Sequence, residues 1–277
     1  MVLAHLLILI TVLSSPLQST EKDLRVVSLA PSNTELMFAI GAEDLLVGRT
    51  SRCNYPSQAE SITNVGSLFP ANYEKIISLR PDLVLMIDGD LKVKQRLESL
   101  GIKIVVIHPK TVREIASSMR FLGQITNRGK QADDRSQSFL NALKTLDNSQ
   151  TRPRRILYEV WNQPLIIPGP KTFLADLIRL SGGLPIGGQL SGSWPQVDLE
   201  WAMSQNPEFI LVRNAERKTY FLNSPIWRET SAVKKNQVLV LPNEDIFTRP
   251  GPRVHTAINW LSHKLNTSQT QKMRTHE

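Results

Sequence analysis

Asn72-Tyr73-Glu74-Lys75-Ile76-Ile77-Ser78-Leu79-Arg80-Pro81-Asp82-Leu83-Val84-Leu85 is answered further along the chain by Asp198-Leu199-Glu200-Trp201-Ala202-Met203-Ser204-Gln205-Asn206-Pro207-Glu208-Phe209-Ile210-Leu211. In each stretch a glutamate follows an Asx residue by two positions, a proline follows the glutamate by seven, and an acid precedes an apolar run. Glu74 to Glu200 and Pro81 to Pro207 are both separations of 126 positions. An Asx side chain caps the first turn of a helix. A proline, lacking its amide hydrogen, ends one. A short apolar run without alternation is a strand covered on both faces. A short helix feeding a buried strand, repeated near half the chain length, predicts two similar α/β lobes.

Working outward, further strands are predicted at Val26–Leu29, Ile102–Ile107, Ile156–Tyr158 and Val238–Leu241. Between them lie helix signals. Ser32 to Glu35 and Thr111 to Glu114 read as capping boxes, with Gly41 as a stop after the first. Thr172 opens a helix over Phe173–Leu180 that Gly182-Gly183 closes, and Ser224-Pro225 reads as a cap followed by proline at the first helical position. Arg128 to Asp147 lacks proline and predicts one helix of about 20 residues, roughly 30 Å long. The expected fold is α/β: two Rossmann-like lobes joined by one long helix, with a ligand cleft between them. A strut of that kind is a stiff connection, so large hinge motion is not expected. The first lobe is expected over 24–125, the linking helix over 126–150 and the second lobe over 154–265. Residues 266–277 read as a polar, disordered tail.

Residues 1–20 carry no Lys, Arg, Asp or Glu, and Leu6 to Leu13 is an apolar run followed by small residues. It is too short to span a bilayer and reads as a secretory signal peptide, implying export. No cysteine follows it, so a lipid-modified N-terminal cysteine is excluded.

The 277 residues hold one cysteine, Cys53, so no intrachain disulfide can form. With 33 basic against 25 acidic residues the formal charge is +8, which favours anionic partners without specifying a fold. The basic clusters Arg152-Pro153-Arg154-Arg155 and Lys234-Lys235 are short and lack interleaved aromatics, so nucleic acid is not an expected partner. The sequence lacks the phosphate-loop, dinucleotide, nucleophile-elbow and Cys-x-x-Cys signatures, leaving catalysis little support. Among the histidines only His255 and His263 could share a helix face, two turns apart, so no metal site is expected. Aromatic residues are scarce, yet Tyr55, Phe69, Trp161, Trp194 and Phe247 stand in loops beside turn residues. In open α/β sheets ligands bind at the carboxyl ends of strands. Rings there would wall a cleft for a large, flat, partly apolar ligand.

Several stretches carry a family resemblance. Arg25 to Glu35 (Arg-Val-Val-Ser-Leu-Ala-Pro-Ser-Asn-Thr-Glu), Gly48 to Pro56, Val65-Gly66 and Leu79 to Val84 resemble the helical-backbone class of periplasmic substrate-binding proteins. These serve ABC importers of cobalamin, haem and ferric siderophores. Trp194-Pro195-Gln196-Val197 with Glu200, and Asp245 to Arg253, are most similar to the cobalamin-binding members. The similarity runs collinearly over about residues 24–265.

The resemblance implies a soluble, monomeric, periplasmic carrier that captures a corrinoid between its lobes. It would deliver that ligand to a permease dimer, with no catalysis, cofactor or metal of its own. By position it implies ligand contacts from Tyr55, Phe69, Trp161, Trp194, Asp245, Phe247 and Arg249. It also implies permease docking through Glu74 and Glu200. Where cobalamin binders carry further first-lobe tryptophans, this chain has Leu68-Phe69 and Ile87-Asp88; Phe69 replaces one ring and Ile87 does not replace the other. The same fold also serves haem, for which Tyr55, Tyr73 or Tyr158 would be the axial candidate. A ferric siderophore would use Arg49, Arg52, Arg213 or Arg249. An α/β enzyme is the remoter alternative.

Overall fold

The computed structural model describes residues 24–89, 91–146 and 152–273, so the expected signal peptide at 1–20 lies outside the described residues. The first lobe comprises β1 (Val26–Ser28), α1 (Pro31–Ala39), β2 (Leu46–Arg49), α2 (Tyr73–Ser78), β3 (Leu83–Met86), α3 (Leu91–Ser99), β4 (Lys103–Val106) and α4 (Glu114–Ile125). After α5 (Gly129–Lys144) the chain enters β5 (Arg154–Tyr158), β6 (Trp161–Asn162), β7 (Leu165–Ile166), α6 (Phe173–Leu180) and β8 (Gly183–Pro185). It continues through β9 (Gln196–Val197), α7 (Leu199–Ser204), β10 (Phe209–Val212), α8 (Ala215–Asn223), α9 (Ser231–Lys234), β11 (Val238–Val240), α10 (Glu244–Thr248) and α11 (Val254–Met273). The main sheets are parallel, ordered β2-β1-β3-β4 and β8-β5-β10-β11, and a small antiparallel sheet β6-β7-β9 sits beside the second.

The sequence repeat survives to the level of single hydrogen bonds. Asn72 caps α2 by accepting from the Lys75 amide at 3.0 Å, and Asp198 caps α7 by accepting from the Trp201 amide at 2.6 Å. After each helix one residue turns left-handed, Arg80 at φ 46° and Asn206 at φ 43°. The following acid then ties the strand to its neighbour. Asp82 accepts from the Arg25 amide at 3.0 Å, and Glu208 accepts from the Arg155 amide at 3.2 Å. The same arginine side chains reach back to the helix end, Arg25 to the Leu79 carbonyl and Arg155 to the Asn206 carbonyl. β3 and β10 are buried at every position, as their unbroken hydrophobicity requires.

Some local expectations are revised. α1 starts at Pro31, so its N-cap is Ala30, which has no side-chain acceptor; Ser32 falls inside the helix and Glu35 turns to guanidinium groups across the molecule. Thr111 does take the Glu114 amide, but α4 begins only at Glu114. Ser224-Pro225 ends α8 instead of opening a helix, the Ser224 amide donating to the Tyr220 carbonyl at 3.0 Å. α11 runs through 266–273, where a disordered tail was expected. The helix between the sheets is α5, 16 residues and hence about 24 Å long. It folds back on α4 after Asn127, at φ 56°. A Cβ on Gly123 would come within 2.3 Å of Ala132 Cβ, so glycine lets these helices approach closely.

One apolar cluster runs through both lobes. It takes Leu36 and Met37 from α1, Met119 from α4, Leu177 from α6 and Leu261 from α11. The opposite face of each sheet packs into its own smaller cluster, around Val84 in the first lobe and around Ile210 in the second. The Val112 amide also donates to Asp176 on α6 at 2.7 Å, stitching the lobes across their boundary.

Glu208 is nearly buried under Arg152 and Arg154. Burial alone would raise its carboxyl. Hydrogen bonds from both guanidinium groups and from the Arg155 amide outweigh that and hold it at about 2. A carboxyl depressed on folding contributes stability above its unfolded value, and loses it as pH falls through the folded one. Urea midpoints should therefore fall between about pH 4.5 and 2. In Glu208→Gln that portion of the slope should vanish; an unchanged profile would show the carboxylate contributes nothing there.

Candidate functional site

Segments that follow β4 and β5 at the carboxyl ends of the two parallel sheets line, with residues of both lobes, a cavity of about 280 Å³ in the cleft between them. His108 and Lys110, just beyond β4, line it from the first lobe; Val160, Phe173, Trp194 and Pro250 line it from the second.

Trp194 is held by backbone. The Gly169 amide donates to the Ser193 carbonyl at 2.9 Å and the Ile167 amide to the Pro195 carbonyl at 3.2 Å. A Cβ on Gly169 would lie 2.0 Å from the Gly192 oxygen, so only glycine permits this approach. β9 then pairs with β7 and β7 with β6, which carries Trp161. The small sheet thus fixes both tryptophans on the second lobe, each about half exposed, at 50% and 49%. The Trp161 Nε1–H donates to the Gln163 carbonyl at 3.0 Å, and the Arg213 guanidinium stands 5.4 Å from its ring centroid. One tryptophan lines the cavity and the other follows Val160, which does.

Other expected contacts sort differently. Tyr55 is 44% exposed, with the Arg253 guanidinium 3.7 Å above its ring. Arg249 is taken up by Glu35, Asn54, Asp245 and the Arg52 carbonyl. Asp245 remains partly exposed beside it. Phe69 is exposed in the loop before Glu74, where neighbouring residues line a separate hollow of about 700 Å³, and it does not line the cleft cavity. Phe247, expected at the ligand, does not line the cavity. It is fully buried and packs edge-to-face on Trp260 at 5.6 Å, because its helix turns that face inward.

Of the tyrosines, Tyr158 lies in the core, where burial pushes its phenol well above the usual range, and Tyr73 packs against the first-lobe cluster. Arg49 is buried on the carbonyls of Ala59, Thr50 and Glu60, and Arg213 donates to the Val160 carbonyl. Arg52 alone of the four candidate arginines is exposed without such a role for its guanidinium among the described residues. Glu74 and Glu200 stand exposed in the first turns of α2 and α7. Neither forms an ion pair among the described residues.

Two clusters were missed in the sequence. Asp88 and His108 each stand two residues beyond a strand, and Met86 pairs with Val106 in register, so parallel pairing sets them side by side. The His108 Nδ1 is in contact with Asp88 Oδ1, and Lys110 Nζ donates to Asp88 Oδ2 at 2.6 Å. Burial, with the Lys110 charge beside it, lowers the imidazole to about 4, so it is neutral at pH 7. Strand-end position was the available signal; spacing between histidines was not.

The second is Glu35, 3% exposed at its side chain. It receives Arg253 twice, at 2.8 and 2.6 Å, and Arg249 at 3.3 Å. These bonds join the first lobe to the segment before α11.

Among the described residues no group of three His, Cys, Asp or Glu side chains could hold a metal ion, and no helix is long and apolar enough to cross a membrane.

The chain matches the family model described as periplasmic binding protein over residues 26–244. It is 30% identical over 277 residues to the vitamin B12-binding protein of Yersinia pseudotuberculosis serotype O:1b (strain IP 31758), covering 99% of this chain and 96% of that one. Among solved structures it is similar to the periplasmic vitamin B12 binding protein BtuF of Vibrio cholerae. That match has TM-score 0.74 and 29% identity over 88% of this chain and 97% of that one. The periplasmic heme-binding protein RhuT from Roseiflexus sp. RS-1 shares the fold at TM-score 0.76 and 20% identity, over 88% and 98%.

Removing Glu35 would leave the Arg253 guanidinium without its carboxylate partner and Arg249 with Asp245 alone. Glu35→Ala should lower unfolding free energy by about 3–5 kcal/mol, the range for breaking a buried ion pair. Chemical denaturation reads this directly; a loss under about 1 kcal/mol would show that water replaces the carboxylate without penalty.

Proposed function

The chain belongs to the periplasmic binding protein family, whose members are solute-binding proteins and not enzymes, and on that premise we propose that it captures a corrinoid between its lobes and hands it to an ABC importer. The observation that carries this reading is near-full-length similarity to vitamin B12-binding proteins, together with a fixed pair of half-exposed tryptophans at the cleft. A corrin is a broad, puckered plane with an apolar ring and polar amide edges. Trp161 and Trp194 offer it large rigid surfaces at little entropic cost. The cavity of about 280 Å³ takes part of such a ligand, while the remainder spans the open mouth. Tyr55 and Asp245, partly exposed beside Arg253 and Arg249, are the further contacts proposed for that remainder, and Phe69 would contact only a ligand that reaches over the first lobe. Residues 1–20 would direct export to the periplasm, where the carrier acts as a soluble monomer.

Delivery follows from the repeat. Glu74 and Glu200 occupy the same position on matching capped helices, so each lobe presents one carboxylate to one subunit of a permease dimer. Charged pairs at such a rim set register and encounter more than affinity.

Calorimetry with cyanocobalamin tests the cargo. Binding is expected, and Trp194→Ala should weaken it about 10- to 100-fold, the worth of burying one large apolar side chain. Failure of the native protein to bind any corrinoid would remove the reading. Glu74→Ala with Glu200→Ala should leave calorimetric binding intact and abolish most uptake in reconstituted vesicles. Undiminished uptake would dismiss the docking role.

A further inference from the structure

We propose that His108 ligates the metal of the bound macrocycle through Nε2, with Asp88 as the group that orients the ring. The proposal rests on the reading of the chain as a carrier of a metallo-macrocycle and extends it to the metal itself.

Three observations converge. His108 lines the cavity that Trp194 closes from the other lobe. Its Nδ1 lies closest to Asp88, with Lys110 Nζ 3.1 Å from the same nitrogen and 2.6 Å from Asp88 Oδ2. No protein group among the described residues hydrogen-bonds its Nε2. A neutral imidazole whose Nδ1–H faces a carboxylate carries its lone pair on Nε2.

A carboxylate on one imidazole nitrogen fixes the tautomer and the ring orientation, the arrangement found at metal-ligating histidines. A resident metal ion would need three or four protein ligands, which the described residues do not gather. A corrin or porphyrin already supplies four nitrogens in a plane and needs only an axial one. A single oriented imidazole is the right complement.

The step is a ligand substitution at Co(III). The cobalt–water bond of aquocobalamin breaks, water departs, and the Nε2 lone pair forms the new cobalt–nitrogen bond. No electron or proton is transferred. In cyanocobalamin both axial positions are filled by strong ligands, so it should bind without this bond.

The test compares aquocobalamin and cyanocobalamin on the full chain by visible spectroscopy and calorimetry, with haemin as a third arm. Aquocobalamin should take the spectrum of its imidazole adduct on binding and bind at least tenfold more tightly than cyanocobalamin. His108→Ala and His108→Gln should abolish the spectral change and bring the two affinities together. Cyanocobalamin binding, which does not use this bond, should be retained in both variants and shows that they are folded. Asp88→Asn should weaken ligation about 10- to 100-fold, the usual cost of losing an orienting partner.

Cyanocobalamin binding with an unshifted aquocobalamin spectrum would overturn the ligation and leave the corrinoid reading standing. A shift that persists in both His108 variants would do the same. A nitrogen-ligated haemin spectrum, lost in both variants, with no corrinoid bound, would uphold His108 and overturn the corrinoid cargo. Binding of none of the three would overturn both.

Discussion

A buried carboxylate that can be neutralised only from the other half of the molecule constrains everything around it. Glu35 belongs to the first lobe; Arg249 and Arg253 reach it from the segment ahead of α11. Separating them would leave an uncompensated charge in a nearly water-free position, costing far more than a surface pair would. The same guanidinium groups cover Tyr55 and hold Asn54 and the Arg52 carbonyl, so the latch also fixes the first-lobe loop at the cleft. With the apolar cluster shared between lobes and the Val112–Asp176 bond, it sets the cleft geometry before any ligand arrives. Such preorganisation spares a ligand the cost of ordering its own site.

The two walls of that cleft are built differently. The second lobe supplies rings on a three-stranded platform whose backbone contacts admit only glycine at Gly169. The first lobe supplies a polar triad, Asp88, His108 and Lys110, at the ends of two adjacent parallel strands. An apolar face opposite a polar one suits a disc-shaped ligand with chemically distinct sides. Burial, with the Lys110 charge beside it, leaves the imidazole uncharged, so this wall offers a donor atom more than a field.

Much of the fold was legible because its decisive signals are local. Asn72 and Asp198 cap through their own side chains, and proline ends each helix whatever surrounds it. β3 and β10 declare themselves by unbroken hydrophobicity. The errors arose where tertiary partners override local preference. Glu35 reads as a capping residue but finds a distant arginine, and Phe247 stands beside charged neighbours yet packs on Trp260. Ser224-Pro225 carries the chemistry of a helix start but terminates one. The tryptophans were recognisable by their loop setting. The Asp88–His108 pair was not, since only strand register makes residues 20 positions apart into neighbours.

The molecule is written twice but has a single interior. The cluster through α1, α4, α6 and α11 belongs to neither half alone, and a fragment carrying one sheet would expose the apolar faces of those helices to solvent. An internally duplicated chain would ordinarily be expected to melt in two stages. Here neither half has a complete core to fall back on, so denaturation should proceed as one cooperative transition.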